Sequence, residues 1–158
     1  LRARLNASHE WQFMLHDVQR TLMVVMSHVA TPSSVRHLNP NVLPDDLSAQ
    51  CESWIDAMTL LMADGEGYFI LPGGTEISAL CHQARVAARR AERRLCTLNK
   101  LDALPAQIMS YINRLSDLFF TMARYDLHLA GASEERWQAF GYKRKRREDE
   151  AENRSEGN

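Results

Sequence analysis

The sequence predicts an all-α protein built as an up-down bundle of four or five helices. Three observations carry that prediction. Apolar residues recur at spacings of three and four through most of the chain, the period of one helix face. No segment alternates as a half-buried strand does, and no two segments are joined by a hairpin signal. Breaks rich in Pro, Gly, Asn and Asp separate the periodic stretches, and their mostly short lengths make sequential helices antiparallel.

The first helix is expected over about residues 8–29, where Trp11, Leu15, Val18, Leu22, Val25 and Val29 form one stripe. Thr31-Pro32 ends it, because a residue before proline is pushed out of the helical region, and the Ser/Asn/Pro-rich stretch to Pro44 is a loop. The second helix opens at an Asp45-Asp46 cap and turns Leu47, Cys51, Trp54, Ile55, Met58, Leu61 and Met62 inward. Asp64-Gly65-Glu66-Gly67 breaks it. The third follows Pro72-Gly73-Gly74 and reaches about residue 98, with Ile77, Leu80, Cys81, Ala84, Ala88, Ala91, Leu95 and Leu98 as its core face. The fourth begins at Pro105, suited to a first helical turn. It runs to about residue 130 through Ile108, Met109, Ile112, Leu115, Phe119, Met122 and Leu127. Residues 1–140 thus form one domain, and residues 141–158 a charged tail expected to be disordered.

A chain of 158 residues with 45% hydrophobic and 25% charged content suits a single globular domain. The net charge of −1 gives no overall drive toward nucleic acid or membrane. No apolar run reaches the length of about 18 residues needed to cross a bilayer. Charge is concentrated locally instead. Residues 85–94 hold five Arg and one Glu, and Lys143 to Arg147 is an unbroken basic run. With Trp137, Phe140 and Tyr142 ahead of it, that run has the composition of an RNA or anionic-lipid contact. The acidic end that follows favours a solvated tail. Cys51, Cys81 and Cys96 lack metal-ligand spacing and lie in helical apolar patterns, so buried free thiols in a reducing compartment are expected.

Two constellations carry chemistry. In the third helix His82, Arg85, Arg89 and Glu92 fall on one stripe beside the core face. Guanidinium groups in a row suit a polyanion, and the Pro-Gly-Gly turn at the helix start would let backbone approach a ligand closely. The plain alternative is a solvated face with intrahelical Arg–Glu pairs. In the fourth helix Asn113, Ser116 and Asp117 are spaced to face one direction. Such residues usually bridge helices; otherwise they supply oxygen ligands to a hydroxyl or a magnesium–phosphate group. His82 reads most simply as a packing residue and Phe69 as a core anchor.

Taken together, Phe69-Ile-Leu-Pro-Gly-Gly, His82-Gln-Ala-Arg85, Arg89-Arg-Ala-Glu92-Arg93-Arg94 and Ile112-Asn113-Arg114-Leu115-Ser116-Asp117 resemble one family. This is the ATP:cob(I)alamin adenosyltransferases of the propanediol-utilisation type. Gln19, Ala30-Thr31-Pro32 and Trp54-Ile55-Asp56 are similar as well, so the likeness covers roughly residues 8–137. It implies a five-helix bundle, a homotrimer with sites between subunits, and transfer of the 5′-deoxyadenosyl group of ATP to reduced cobalamin with release of tripolyphosphate. The ligands implied are ATP, Mg2+ and cobalamin, with a cobalamin-dependent enzyme as recipient of the product. Arg85, Arg89, Glu92 and Asn113 would belong to the ATP and magnesium site. Phe69 would sit against the corrin and help displace its lower axial ligand. Arg85, Arg89 and Phe69 would be the residues that act on the reaction. The location implied is the mitochondrial matrix in a eukaryote and the cytoplasm otherwise.

The family's leading Thr-Arg-Thr-Gly-Asp-x-Gly segment, which wraps the ATP triphosphate, has no counterpart in this sequence; nor has the Asp-Glu-Leu stretch that opens its first helix. That gap, with the aromatic and basic stretch from Trp137 to Arg147, motivates an alternative. It is a catalytically retired relative serving as a structural subunit of a larger, ribonucleoprotein-like assembly. A cobalamin escort that delivers cofactor without making it is a third reading.

Overall fold

The fourth helical segment is apolar on nearly every side, and the rest of the chain packs around it. The computed structural model describes residues 1–62 and 69–137. Its four α-helices are α1 (Trp11–Ala30), α2 (Ala49–Leu61), α3 (Glu76–Asn99) and α4 (Ala106–Leu129). Short 3-10 turns cover Arg2–Arg4 and Arg36–Leu38. α4 buries residues from Ile108 to Leu127, including Ile108, Leu118 and Met122, which are wholly inaccessible. Trp11, Met14, Leu15, Val18 and Val25 of α1, Cys51 and Met58 of α2, and Cys81 and Ala88 of α3 complete the core.

The side-chain pairs give the helix directions. Thr75 meets Asp126 and Glu92 meets Asn113, so contacts step down α4 as they climb α3. Trp11 meets Tyr125 and Thr21 meets Tyr111, so α1 is also antiparallel to α4. Glu52 meets Arg114 while Met58 and Leu61 flank Tyr125, so α2 runs alongside α4 in the same sense. The order is up, down, up, down, although the connections over residues 31–48 and 62–75 are long rather than short.

At one end of the bundle Arg36 ties the α1–α2 loop to the α3–α4 loop. It donates to the His28 carbonyl at 2.9 Å, to Asp102 at 3.0 Å and to the Ala103 carbonyl. Asp102 also accepts from the Ser33 backbone, and these partners hold its carboxyl below the usual range. At the other end, Ile70 and Arg136 form an isolated antiparallel bridge. Leu71 N donates to Glu135 O at 2.8 Å and Trp137 N to Phe69 O at 2.7 Å. Arg124 of α4 anchors this ribbon through its ion pair with Glu134.

Several expectations are corrected. α1 starts at Trp11, not near Ser8, because Asn6 and Ser8 bond each other in a turn and the His9 ring accepts the Trp11 N–H. Asp45-Asp46 does not cap α2; those residues lie in a turn, Ser48 precedes the helix, and no side chain caps it. Leu61, the last residue of α2, is exposed. Ala91 is exposed and Cys96 is an exposed thiol, because α3 is rotated so that Ser78, Cys81 and His82 face inward. Cys51 and Cys81 are buried, and burial pushes both thiols up to about 12. Asp64–Gly67, Phe140, Tyr142, the 143–147 basic run and the 148–158 tail lie outside the described residues.

Candidate functional site: the seam between α3 and α4

α3 opens on a turn fixed by close packing. Gly73 and Gly74 adopt φ of +152° and +87°. A Cβ on Gly74 would overlap Cδ2 of Leu127, so this glycine lets the turn approach α4. Thr75 then caps the helix, accepting from Ser78 N at 3.0 Å, and its hydroxyl donates to Asp126. These contacts set the rotation of α3 for the three turns that follow.

With that rotation His82, Arg85 and Glu92 all point toward α4. His82 is 5% exposed, its ring edge-on to Phe120 with centroids 6.2 Å apart. The Arg85 guanidinium lies over the face of the same Phe120, 4.5 Å from the ring centroid. One turn on, Arg89 donates to one Glu92 oxygen at 2.8 Å, and Asn113 of α4 donates to the other at 2.8 Å. Arg89, Glu92 and Asn113 are therefore one bonded unit, and Arg85 continues the line through Phe120. Arg90, Arg93 and Arg94 point to solvent and line a shallow recess with Thr97. For those three the plain reading of a solvated face holds.

Other members of the sequence-derived set are not in this unit. Asn113, Ser116 and Asp117 do not share one direction: Ser116 is 2% exposed inside the bundle, while Asp117 pairs with Arg114 at 3.2 Å on the surface. Asn113 and Asp117, four apart, are both exposed, whereas Ser116 is turned about 100° from Asp117 and faces the core. Phe69 is no core anchor. It is 80% exposed, its backbone held by the Trp137 pairing, and it stands at the bundle end away from Arg89 and Asn113. The residue missed from sequence is Phe120, which follows the buried Phe119. An aromatic at the edge of the α4 apolar surface is its one visible signal, and only the packing with α3 gives it a role.

Burial, and then the neighbouring Arg85 charge, lower the His82 pKa below its ordinary 6.5. The unfolded chain protonates this ring near 6.5 and the folded chain only at lower pH. Its contribution to stability is thus complete above about pH 6.5 and declines as pH falls below it. Melting curves of His82→Gln from pH 7 to 5 should show a shallower loss of stability than those of the unsubstituted protein. Parallel pH profiles would exclude His82 as the titrating group.

The molecule is an all-α bundle with a guanidinium-lined seam between two antiparallel helices. The chain belongs to the cobalamin adenosyltransferase family, whose model matches residues 1–126. It is 39% identical over 120 residues to human corrinoid adenosyltransferase MMAB, covering 74% of this chain and 48% of the human protein. A corrinoid adenosyltransferase of Bacillus subtilis is 50% identical over 56 residues, 35% of this chain and 29% of that protein. Among solved structures, a variant PduO-type ATP:corrinoid adenosyltransferase from Lactobacillus reuteri, complexed with cobalamin and ATP, superposes with a TM-score of 0.79. It is 27% identical, and the match covers 87% of this chain and 76% of that one. The chain spans about half the length of the curated mammalian relatives it matches. Among the described residues no helix is long and apolar enough to cross a membrane.

Proposed function

We propose that the protein transfers the 5′-deoxyadenosyl group of ATP to reduced cobalamin, giving adenosylcobalamin and tripolyphosphate. The observation that carries this reading is the bonded unit of Arg89, Glu92 and Asn113, with Arg85 in line, on a family member's fold. The leaving tripolyphosphate gains negative charge as the C5′–O bond breaks and the Co–C bond forms. Guanidinium groups already in place stabilise that charge where it develops. Reduced cobalt is itself the nucleophile, so a site without a nucleophile–base pair is sufficient. Glu92 and the Asn113 side-chain carbonyl are hard oxygen donors of the kind Mg2+ takes alongside substrate phosphates. A homotrimer, a cobalamin-dependent recipient enzyme, and a matrix or cytoplasmic location according to source belong to the same reading. That the named relatives are enzymes favours transfer over a retired structural subunit.

Incubating the purified protein with ATP, Mg2+ and reduced cobalamin without oxygen should yield the visible spectrum of adenosylcobalamin. Its absence would overturn the proposal. Phe69 gives a second check. Because it is exposed, Phe69→Ala should change stability by no more than about 0.5 kcal/mol. If its ring lies against the corrin, turnover should fall roughly tenfold, equivalent to about 1.4 kcal/mol of lost transition-state stabilisation. Unchanged turnover would remove Phe69 from the site.

A further inference from the structure

We infer that Arg124 and Glu134 are positioning residues, holding Phe69 at the place where the corrin is received; the inference rests on the transfer reading above. Phe69 is 80% exposed, so little packing fixes its ring. Its place is set by its backbone, whose carbonyl accepts from Trp137 N at 2.7 Å. Across the Ile70–Arg136 bridge, Leu71 N donates to Glu135 O at 2.8 Å, so residues 69–71 follow wherever residues 135–137 are held. In this register Phe69 lies opposite Trp137, and both side chains stand on one face of the ribbon.

Two ties join this ribbon to α4, and they differ in stiffness. The first runs through the Pro72-Gly73-Gly74 turn to Leu127 and Asp126. Two consecutive glycines with φ of +152° and +87° make that tie a pivot rather than a brace. The second is the fork of Arg124, whose Nε donates to Glu134 Oε1 at 2.5 Å and whose Nη2 donates to Oε2 at 3.1 Å. A bidentate guanidinium–carboxylate pair fixes angle as well as distance. The two side chains are 17% and 14% exposed and meet within one chain, so the brace is in place before any neighbouring subunit is added. Arg124 and Leu127 are three apart, so both ties leave from one turn of α4, and the rigid one sets the direction in which Phe69 stands.

The test uses Glu134→Gln, which loses the charge and one acceptor, and Arg124→Lys, which keeps the charge but not the fork. Amide hydrogen exchange in the ligand-free protein should speed up about tenfold or more at Trp137 and Leu71 in both variants, while amides of the α4 core such as Ala123 keep their rates. In the transfer assay each variant should lose about fivefold in kcat, less than Phe69→Ala loses, with the KM for ATP unchanged. Combining either change with Phe69→Ala should lower kcat no further than Phe69→Ala does alone, because the pair acts through that ring. Unchanged exchange at Trp137 and Leu71, exchange raised equally throughout the bundle, or losses that add to that of Phe69→Ala each overturn the inference. Absence of turnover in the unsubstituted protein would instead overturn the transfer reading, while exchange at Trp137 and Leu71 still decides whether the pair holds the ribbon.

Discussion

Arg89→Ala is expected to lower adenosyl transfer by about 100-fold or more while the bundle stays folded. The magnitude follows from removing one preorganised charged donor from a group whose negative charge grows in the transition state. The selectivity follows from position. The Arg89 side chain is 51% exposed, and its ion pair with Glu92 is an i,i+3 surface pair, a class that contributes little to stability. Melting temperature should therefore move by no more than a degree or two. The loss should fall on kcat rather than on the KM for cobalamin, because the interaction strengthens as tripolyphosphate departs. Arg89→Lys sharpens the test: it keeps the charge but loses the forked donor geometry, so partial activity is expected. Wild-type kcat in Arg89→Ala would show that the leaving group is stabilised elsewhere. A folded variant with a large melting shift would show that the pair with Glu92 is structural.

How much of this was legible in the sequence depends on the range of the interaction. The apolar stripes of α1 and α4, the proline after Thr31 and the Pro105 start are local signals, and the helices fall within a few residues of them. The start of α2 misled because an Asp-Asp pair is a frequent cap, whereas here residues 45–48 form a turn and Leu47 is already buried before the helix begins. The rotation of α3 was legible in outline: Cys81 and Ala88 of the expected core face are buried, Ile77, Ala84 and Leu95 pack against them, and only Ala91 departs. Its sequence offers a small-residue stripe through Ala84, Ala88 and Ala91 and a polar stripe through His82, Arg85 and Glu92. The docking of Gly74 on Leu127 and the Thr75–Asp126 contact fix the final rotation between them. That choice buries His82 and exposes Ala91. For the same reason Arg89, Glu92 and Asn113 were legible as a set through family spacing, but Phe120 was not. The exposure of Phe69 likewise depends on pairing with residues 135–137, which no local pattern announces.

Gly74→Ala is expected to be the most destabilising small substitution in the site region, at about 3 kcal/mol. Two costs add. A φ of +87° lies where side-chain-bearing residues are strained, by roughly 1–2 kcal/mol. The new methyl would also overlap Cδ2 of Leu127, which is 3% exposed, so the leucine must shift within the bundle. Forcing a methyl into a packed site costs a further 1–3 kcal/mol or so. For a domain of this size the melting temperature should drop by about 6–12 °C. Gly73→Ala provides the contrast: its Cβ meets nothing within 4 Å, so only backbone strain remains and the drop should be smaller. The double substitution Gly74→Ala with Leu127→Ala isolates the clash. Leu127→Ala alone leaves a cavity and costs about 2–4 kcal/mol, but it also makes room for the new methyl. The pair should therefore cost less than the two single changes combined, by roughly 1–2 kcal/mol of coupling. Strict additivity would mean that backbone strain, not contact with Leu127, accounts for the glycine. The tie between the Pro-Gly-Gly turn and the rotation of α3 would then have to rest on the Thr75–Asp126 contact alone.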